Sequence, residues 1–119
     1  MNINPKIEAT FKDFTVDGEK ISIAYQNYTG KATKYLTYYT WSELPKQFCE
    51  DFHSSEVCYA TIDLWSKGNF KNIVEKIKTT LFQNGFTWTD NASETFEQDT
   101  GYFHVPINFF IEREAIDDK

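Results

Sequence analysis

The stretch VCYATIDLWSKGNFKNIVEKIKTTLFQNG, residues 57–85, changes its hydrophobic period halfway, and that change constrains the fold more than any other feature of the chain. From Val57 to Trp65 the side chains alternate. Cys58, Ala60, Ile62 and Leu64 fall on one side, and Val57, Tyr59, Thr61, Asp63 and Trp65 on the other. A period of two is that of a strand, and apolar groups on both sides place it inside a sheet. The period then becomes helical: Phe70, Ile73, Val74, Ile77 and Leu81 recur on one face, with Lys71, Asn72, Glu75, Lys76 and Lys78 elsewhere. Gly68 breaks the strand, Asn69 is the expected cap, and Asn84-Gly85 the expected left-handed stop of a helix over 69–84.

On either side the chain alternates again. Asn4-Pro5 reads as an N-cap and first helical residue. Ile3, Ile7, Phe11 and Phe14 then predict a short helix over 5–13. Asp17-Gly18 ends it or turns the chain. Lys20 to Gln26 predicts a strand with Ile21, Ile23 and Tyr25 on one face, followed by a polar loop over 27–34. Tyr35 to Trp41 predicts a second strand, with Tyr35, Thr37, Tyr39 and Trp41 opposed to Leu36, Tyr38 and Thr40. After the helix, strands are expected over 86–89 and 94–98, with turns at 90–93 and 99–101. Tyr102 to Arg113 predicts a last strand with Phe103, Val105, Ile107, Phe109 and Ile111 on the core face. Pro106 argues that this strand is an edge or carries a bulge. The acidic tail, 114–119, is expected to be disordered.

The expected fold is therefore one α+β domain over residues 1–119, a single antiparallel-rich sheet covered on one face by two helices. Tyr59 and Trp65, with Tyr39 and Trp41, are expected on the other face, which would make it an assembly surface. At 119 residues, one domain buries about two-thirds of its unfolded surface. Eleven Phe, seven Tyr and three Trp exceed what a small core requires, and such residues are enriched in protein interfaces. A net charge of −6 argues against a nucleic-acid-binding surface as the main business of the chain. The longest apolar run, Val57 to Ala60, is far short of the roughly 18 residues of a membrane span. The residues MNINPKIEATF lack the pattern of a secretory signal, so Cys49 and Cys58 are expected to be reduced thiols.

Residues 42–56, SELPKQFCEDFHSSE, have no clean period, and Pro45 interrupts either regular element. A connection this long is usually functional or mobile, and it carries Leu44, Phe48 and Phe52. Together with Trp41 these are the candidate subunit or tube interface.

Signals of chemistry are weak. Cys49, His53 and Cys58 are spaced C-x3-H-x4-C, without a CxxC or HExxH pair, and read better as a polar loop followed by a packed cysteine. Asp63 reads as a cross-strand partner or solvated carboxylate, and His104 as structural or solvated. Neither sits in a spacing with a nucleophile. Lys67, Lys71, Lys76 and Lys78 read as a solvated helix face, and the scattered glycines form no phosphate cradle. No catalytic, cofactor-binding or metal residue is predicted.

The string YATIDLWSKGNFKNIVEKIKTTLFQNGF, residues 59–86, resembles the core of the tail terminator proteins of long-tailed bacteriophages and prophages of Gram-positive bacteria. These are also called tail completion or head-to-tail joining proteins. The resemblance extends over about residues 20–113. Its parts are an aromatic strand before a long loop (YLTYYTWSEL), Trp65-Ser66-Lys67 at a strand end, and Gly85-Phe86 closing the helix. An acidic, aromatic hairpin then leads into a Tyr/His-containing last strand (EQDTGYFH).

The resemblance implies a structural protein without enzymatic activity, assembled in the host bacterial cytoplasm and residing in the virion. It would form a ring, commonly a hexamer, that caps the tail tube. Its partners would be the tail tube protein and a head-completion or neck protein, with DNA passing through the lumen unbound. Another neck or head-completion connector is the first alternative. A small α+β enzyme or ligand-binding domain is the second.

Overall fold

The structure, a computed structural model, describes residues 3–41, 57–91 and 94–112, with Trp41 described by its backbone only. In chain order the elements are α1 (Asn4–Thr10), β1 (Thr15–Val16), β2 (Glu19–Lys20), β3 (Ser22–Tyr25), β4 (Lys34–Trp41) and β5 (Val57–Ser66). These are followed by α2 (Lys71–Gln83), β6 (Thr87–Asn91), β7 (Thr95–Glu97) and β8 (Tyr102–Glu112). The main sheet runs β3-β4-β5-β8-β6, and β7 pairs with β8 further along the same side as β6. All of its pairings are antiparallel except β3 with β4, which is parallel. The fold is α+β, a sheet with two helices among the described residues.

The strand at the change of period is central, as its two-sided pattern requires: β5 pairs with β4 over Lys34–Trp41 and with β8 over Tyr102–Glu112. Its alternate residues Cys58, Ala60, Ile62 and Leu64 are buried, as are Leu36 and Tyr38 of β4 and Val105, Ile107, Phe109 and Ile111 of β8. Ile73, Val74, Ile77 and Leu81 of α2 and Ile3, Ile7, Phe11 and Phe14 around α1 join them in one core. Phe70 packs against that core from its rim. The Tyr38 hydroxyl donates to the Glu8 carboxylate, which ties α1 to the middle of the sheet. Burial, and then the Glu8 carboxylate, hold the Tyr38 phenol well above its ordinary pKa.

Helix ends differ from expectation in detail. In α1, Ile3 occupies the cap position and Asn4 is already helical, without a side-chain cap. In α2, Phe70 is the cap residue. Asn69 still accepts from the Lys71 N–H at 3.2 Å, so it meets one orphan donor from a position further out. The C-terminus of α2 closes as a Schellman motif. Phe86 N–H donates to Leu81 O at 3.0 Å and Gly85 N–H to Phe82 O at 3.3 Å, with Gly85 at φ +89°. Phe86 is then buried beside Leu81, which fixes the direction of the chain into β6.

Three expectations about strands are corrected. The strand expected over 20–26 is split. Glu19–Lys20 pairs with Thr15–Val16 in a separate ribbon around Asp17-Gly18, both at positive φ. Ile21 is buried between the two strands, and Tyr25 is 44% exposed instead of joining Ile21 in the core. Phe103 is half-buried and packs with Phe70 and Phe96 at the rim. Pro106 lies in an interior strand, opposite Asp63 of β5. On the other side β6 pairs only as far as Ile107 and β7 begins at His104, so Pro106 falls where β8 has no described partner on that side. The bulge is in β6, between Trp88 and Asp90. The tail expected over 114–119 lies outside the described residues.

Candidate functional site

Alternation sends every second residue of β4, β5 and β8 to the face away from the helix-packed core, and register decides which of them meet. Tyr35, Trp65 and His104 lie in one cross-strand row, Thr37, Asp63 and Pro106 in the next, then Tyr39, Thr61 and Asn108. Rings of the first row stack. Tyr28, from the loop after β3, lies 4.2 Å from Tyr35 at 19°. Tyr35 lies 6.1 Å from Trp65 at 14°, and Trp65 lies 4.0 Å from His104 at 3°. Tyr102 meets Tyr35 edge-on at 5.5 Å, and its hydroxyl donates to Ala32 O at 2.7 Å, which holds the loop over the end of the stack. Gly30 leaves room for the Tyr28 hydroxyl, which a Cβ at this position would displace from its place at the end of the stack.

The polar groups of this face pair with one another. Trp65 Nε1–H donates to Thr37 Oγ1 at 3.0 Å, and His104 Nε2 lies 2.8 Å from Asp63 Oδ1. Thr61 Oγ1 donates to Asn108 Oδ1 at 2.7 Å, and Asn108 Nδ2 donates to Asp90 Oδ1 at 3.1 Å. Further along, Tyr59 and Phe110 pack with ring centres 5.8 Å apart. Burial raises the Tyr35 phenol above its ordinary pKa, and Tyr102, Glu97 and Tyr28 add to the shift. Tyr39 is 40% exposed beside this network.

Chemically, an Asp63–His104 contact is half of an acid–base relay, which also requires a nucleophile within hydrogen-bond reach. The neighbouring hydroxyls, of Thr37 and Thr61, are engaged with Trp65 and Asn108, while Cys58 and Ser66 are buried on the opposite side of β5. Among the described residues, shallow clefts lie elsewhere. One, of about 220 Å³, lies between α2 and the β6–β7 side, over Phe70, Val74 and Val105. Another, of about 320 Å³, lies between α1 and α2, at Phe14, Lys76 and Thr80. Neither includes Asp63 or His104.

Of the residues singled out in the sequence, Tyr39, Tyr59 and Trp65 stand on this face. Asp63, expected to meet a cross-strand hydroxyl or Lys or to face solvent, instead finds His104, a diagonal neighbour across β5 and β8; a pocket joining these two with a nucleophile would mark the enzyme alternative. Tyr28, in the segment expected as a polar loop, stacks on Tyr35 instead. Trp41 ends β4 opposite Tyr59, while Leu44, Phe48, Phe52, Cys49 and His53 lie outside the described residues. Cys58 is buried in the core.

Three of the lysines near α2 contact their own domain, while Lys71 is exposed. Lys67 lies over the Tyr102 ring at 4.9 Å and Lys78 over Trp88 at 4.2 Å, while Lys76 donates to Thr15 O at 3.2 Å. Among the described residues no group of three or more His, Cys, Asp and Glu is placed to hold a metal ion, and no helix is long and apolar enough to cross a membrane. No protein-family model matches the chain, and no curated protein matches it either.

Proposed function

We propose that this chain is a non-enzymatic assembly protein of the phage tail-terminator type, one that caps a tail tube as a ring and offers the surface on which a head docks. The observation that carries the reading is the unequal treatment of the two sheet faces. One is closed by helices, and the other presents an ordered, half-buried layer of Tyr, Trp, His and Phe rings, with Trp65, His104 and Tyr102 hydrogen-bonded to Thr37, Asp63 and Ala32 of the same domain. A preformed aromatic layer suits docking against protein better than turnover, because among the described residues the hydroxyls of Thr37 and Thr61 beside the Asp63–His104 pair are already engaged. The order of motifs from YLTYYTWSEL to EQDTGYFH supports the same reading, which places the protein in the virion with a tube protein and a neck protein as partners. A net charge of −6 lets DNA pass a lumen without being retained.

Electron microscopy of tails incubated with the purified chain tests this. Rings at one end of the tube are expected. Copurification with heads and not with tails would support a head-completion or neck connector instead. On the same reading Trp41, Leu44, Phe48 and Phe52 contact a neighbour or the tube. Phe48→Ser with Phe52→Ser should then abolish capping and leave the melting temperature of the free chain unchanged.

A further inference from the structure

The pair of residues that ends α2 carries a chemistry of its own. Asn84 is the only asparagine of the chain that is followed by glycine. The backbone nitrogen after an asparagine can attack that residue's side-chain amide carbon and close a five-membered imide. Glycine leaves this nitrogen unshielded, because no side chain stands over it. Asn84 and Gly85 are both exposed, so water and hydroxide reach them.

The fold holds this pair in a geometry that does not react. Ring closure requires the Gly85 nitrogen to eclipse Asn84 Cβ. At φ −111° and ψ 18° it instead nearly eclipses the Asn84 nitrogen. Three backbone bonds fix that arrangement: Asn84 N–H donates to Leu81 O at 3.0 Å, Gly85 N–H to Phe82 O at 3.3 Å and Phe86 N–H to Leu81 O at 3.0 Å. The side-chain amide is tied as well, since Asn84 Nδ2 donates to Thr80 O at 2.8 Å. Phe86 anchors the turn from inside, buried and edge-on to Phe109 at 5.2 Å. The stop needs glycine for its φ of +89°, and the same missing Cβ leaves the nitrogen open to react. Closure and lability share one cause.

We infer that Asn84 is a deamidation site gated by the α2 stop, and that its reaction dismantles the stop. When the last turn of α2 opens, ψ of Asn84 is free to rotate. The Gly85 nitrogen gives its proton to hydroxide and bonds to Asn84 Cγ. The Cγ–Nδ2 bond breaks, and the amide nitrogen takes a proton from water and leaves as ammonia. Water then opens the imide at either carbonyl, which yields aspartate or isoaspartate; nothing is oxidised or reduced. In both products the donor to Thr80 O is gone. A carboxylate now stands at the negative end of a helix whose last turn carries no basic residue. Isoaspartate also lengthens the main chain by its Cβ, so the bonds to Leu81 O and Phe82 O lose their spacing. None of this depends on what the chain assembles with.

Peptide mapping by mass spectrometry tests it on the purified full chain, held in mildly alkaline buffer with and without urea. In urea Asn84 should convert before any other asparagine. In the folded chain its conversion should be at least about tenfold slower, because it waits for a local opening. Phe86→Leu keeps the Asn-Gly pair and loosens the anchor. It should speed conversion in buffer and leave the rate in urea unchanged. Asn84→Asp reproduces one product, and its Gly85 and Phe86 amides should exchange with deuterium at least about tenfold faster than in wild type. Earlier conversion of another asparagine in urea would overturn the site. Equal rates with and without urea would overturn the gate, as would a Phe86→Leu chain, folded by circular dichroism, that converts no faster than wild type. Wild-type exchange in Asn84→Asp would mean that the stop survives the reaction, and would overturn the second half of the inference.

Discussion

The two faces of the main sheet are made from alternate residues of the same strands, yet they are held by different physics. On the helix side Ile62, Leu64, Ile107 and Phe109 meet Ile73, Ile77 and Leu81 with no exposure to water, and the stabilisation comes from apolar area removed from solvent. On the other side each large group remains partly wet. Trp65, His104 and Tyr35 are ordered by stacking and by single hydrogen bonds to Thr37 and Asp63. The first face keeps the fold, and the second keeps a shape. Substitutions should therefore cost stability in a graded way across the sheet.

The largest effect is expected at the centre of the helix-covered face. Ile77 is fully buried on α2, and Ile77→Ala leaves a cavity that the surrounding sheet cannot collapse into, at about 2–5 kcal/mol. Urea denaturation of the free chain measures it. A loss below about 0.5 kcal/mol would mean that α2 does not close the core, and the contrast between faces would fail.

That face was legible because both of its periods are local: β5 shows a period of two and α2 a helical period within one continuous stretch. The other face was legible only in part. Alternation predicted that Tyr59 and Trp65 leave the core, but which residues they meet depends on the pairing of strands distant in sequence. Asp63 and His104 touch only because β5 and β8 pair antiparallel in one register. The same holds for the parallel pairing of β3 with β4 across a connection with no helix in it, and for Pro106, whose place in an interior strand depends on where β6 stops and β7 starts.

The next effect joins the two kinds of physics, because Tyr38 is buried on the helix side yet donates a hydrogen bond to Glu8. Tyr38→Phe should cost about 1–1.5 kcal/mol at neutral pH. Its pH dependence is the sharper test. The fold stabilises the neutral phenol, so the unfolded chain loses this proton first as pH rises past about 10. From there upward the unfolded state binds fewer protons and stability falls. Below that value this group contributes no slope. Urea midpoints at about pH 8 and about pH 11 should show a smaller alkaline loss in Tyr38→Phe than in wild type. Equal losses would place the titrating phenols elsewhere.

On the open face the effects should be smaller and coupled. A double-mutant cycle with Trp65→Ala and His104→Ala reads the parallel stack at 4.0 Å directly, with an expected coupling of about 0.5–1.5 kcal/mol. Each single change should also loosen one hydrogen bond, to Thr37 or to Asp63. Coupling of about zero would mean that the rings are ordered only by their own strands and that the layer is not preformed.

The smallest effect is expected where an aromatic belongs to neither face. Phe82 sits one residue past Leu81 on α2, so the helical period that buries Leu81 turns Phe82 outward, and it is 80% exposed. Phe86, four residues further on, is buried as the residue that completes the helix stop. The two are the same residue type at the same end of one helix, which makes them a controlled pair. Phe82→Ser removes almost no buried area and should change the unfolding free energy by no more than about 0.5 kcal/mol, whereas Phe86→Ser should approach the cost of a core truncation, about 3–5 kcal/mol. If Phe82→Ser were as costly as Phe86→Ser, Phe82 would be covered in the free protein, and the graded contrast between a closed face, an open face and the bare surface would not hold.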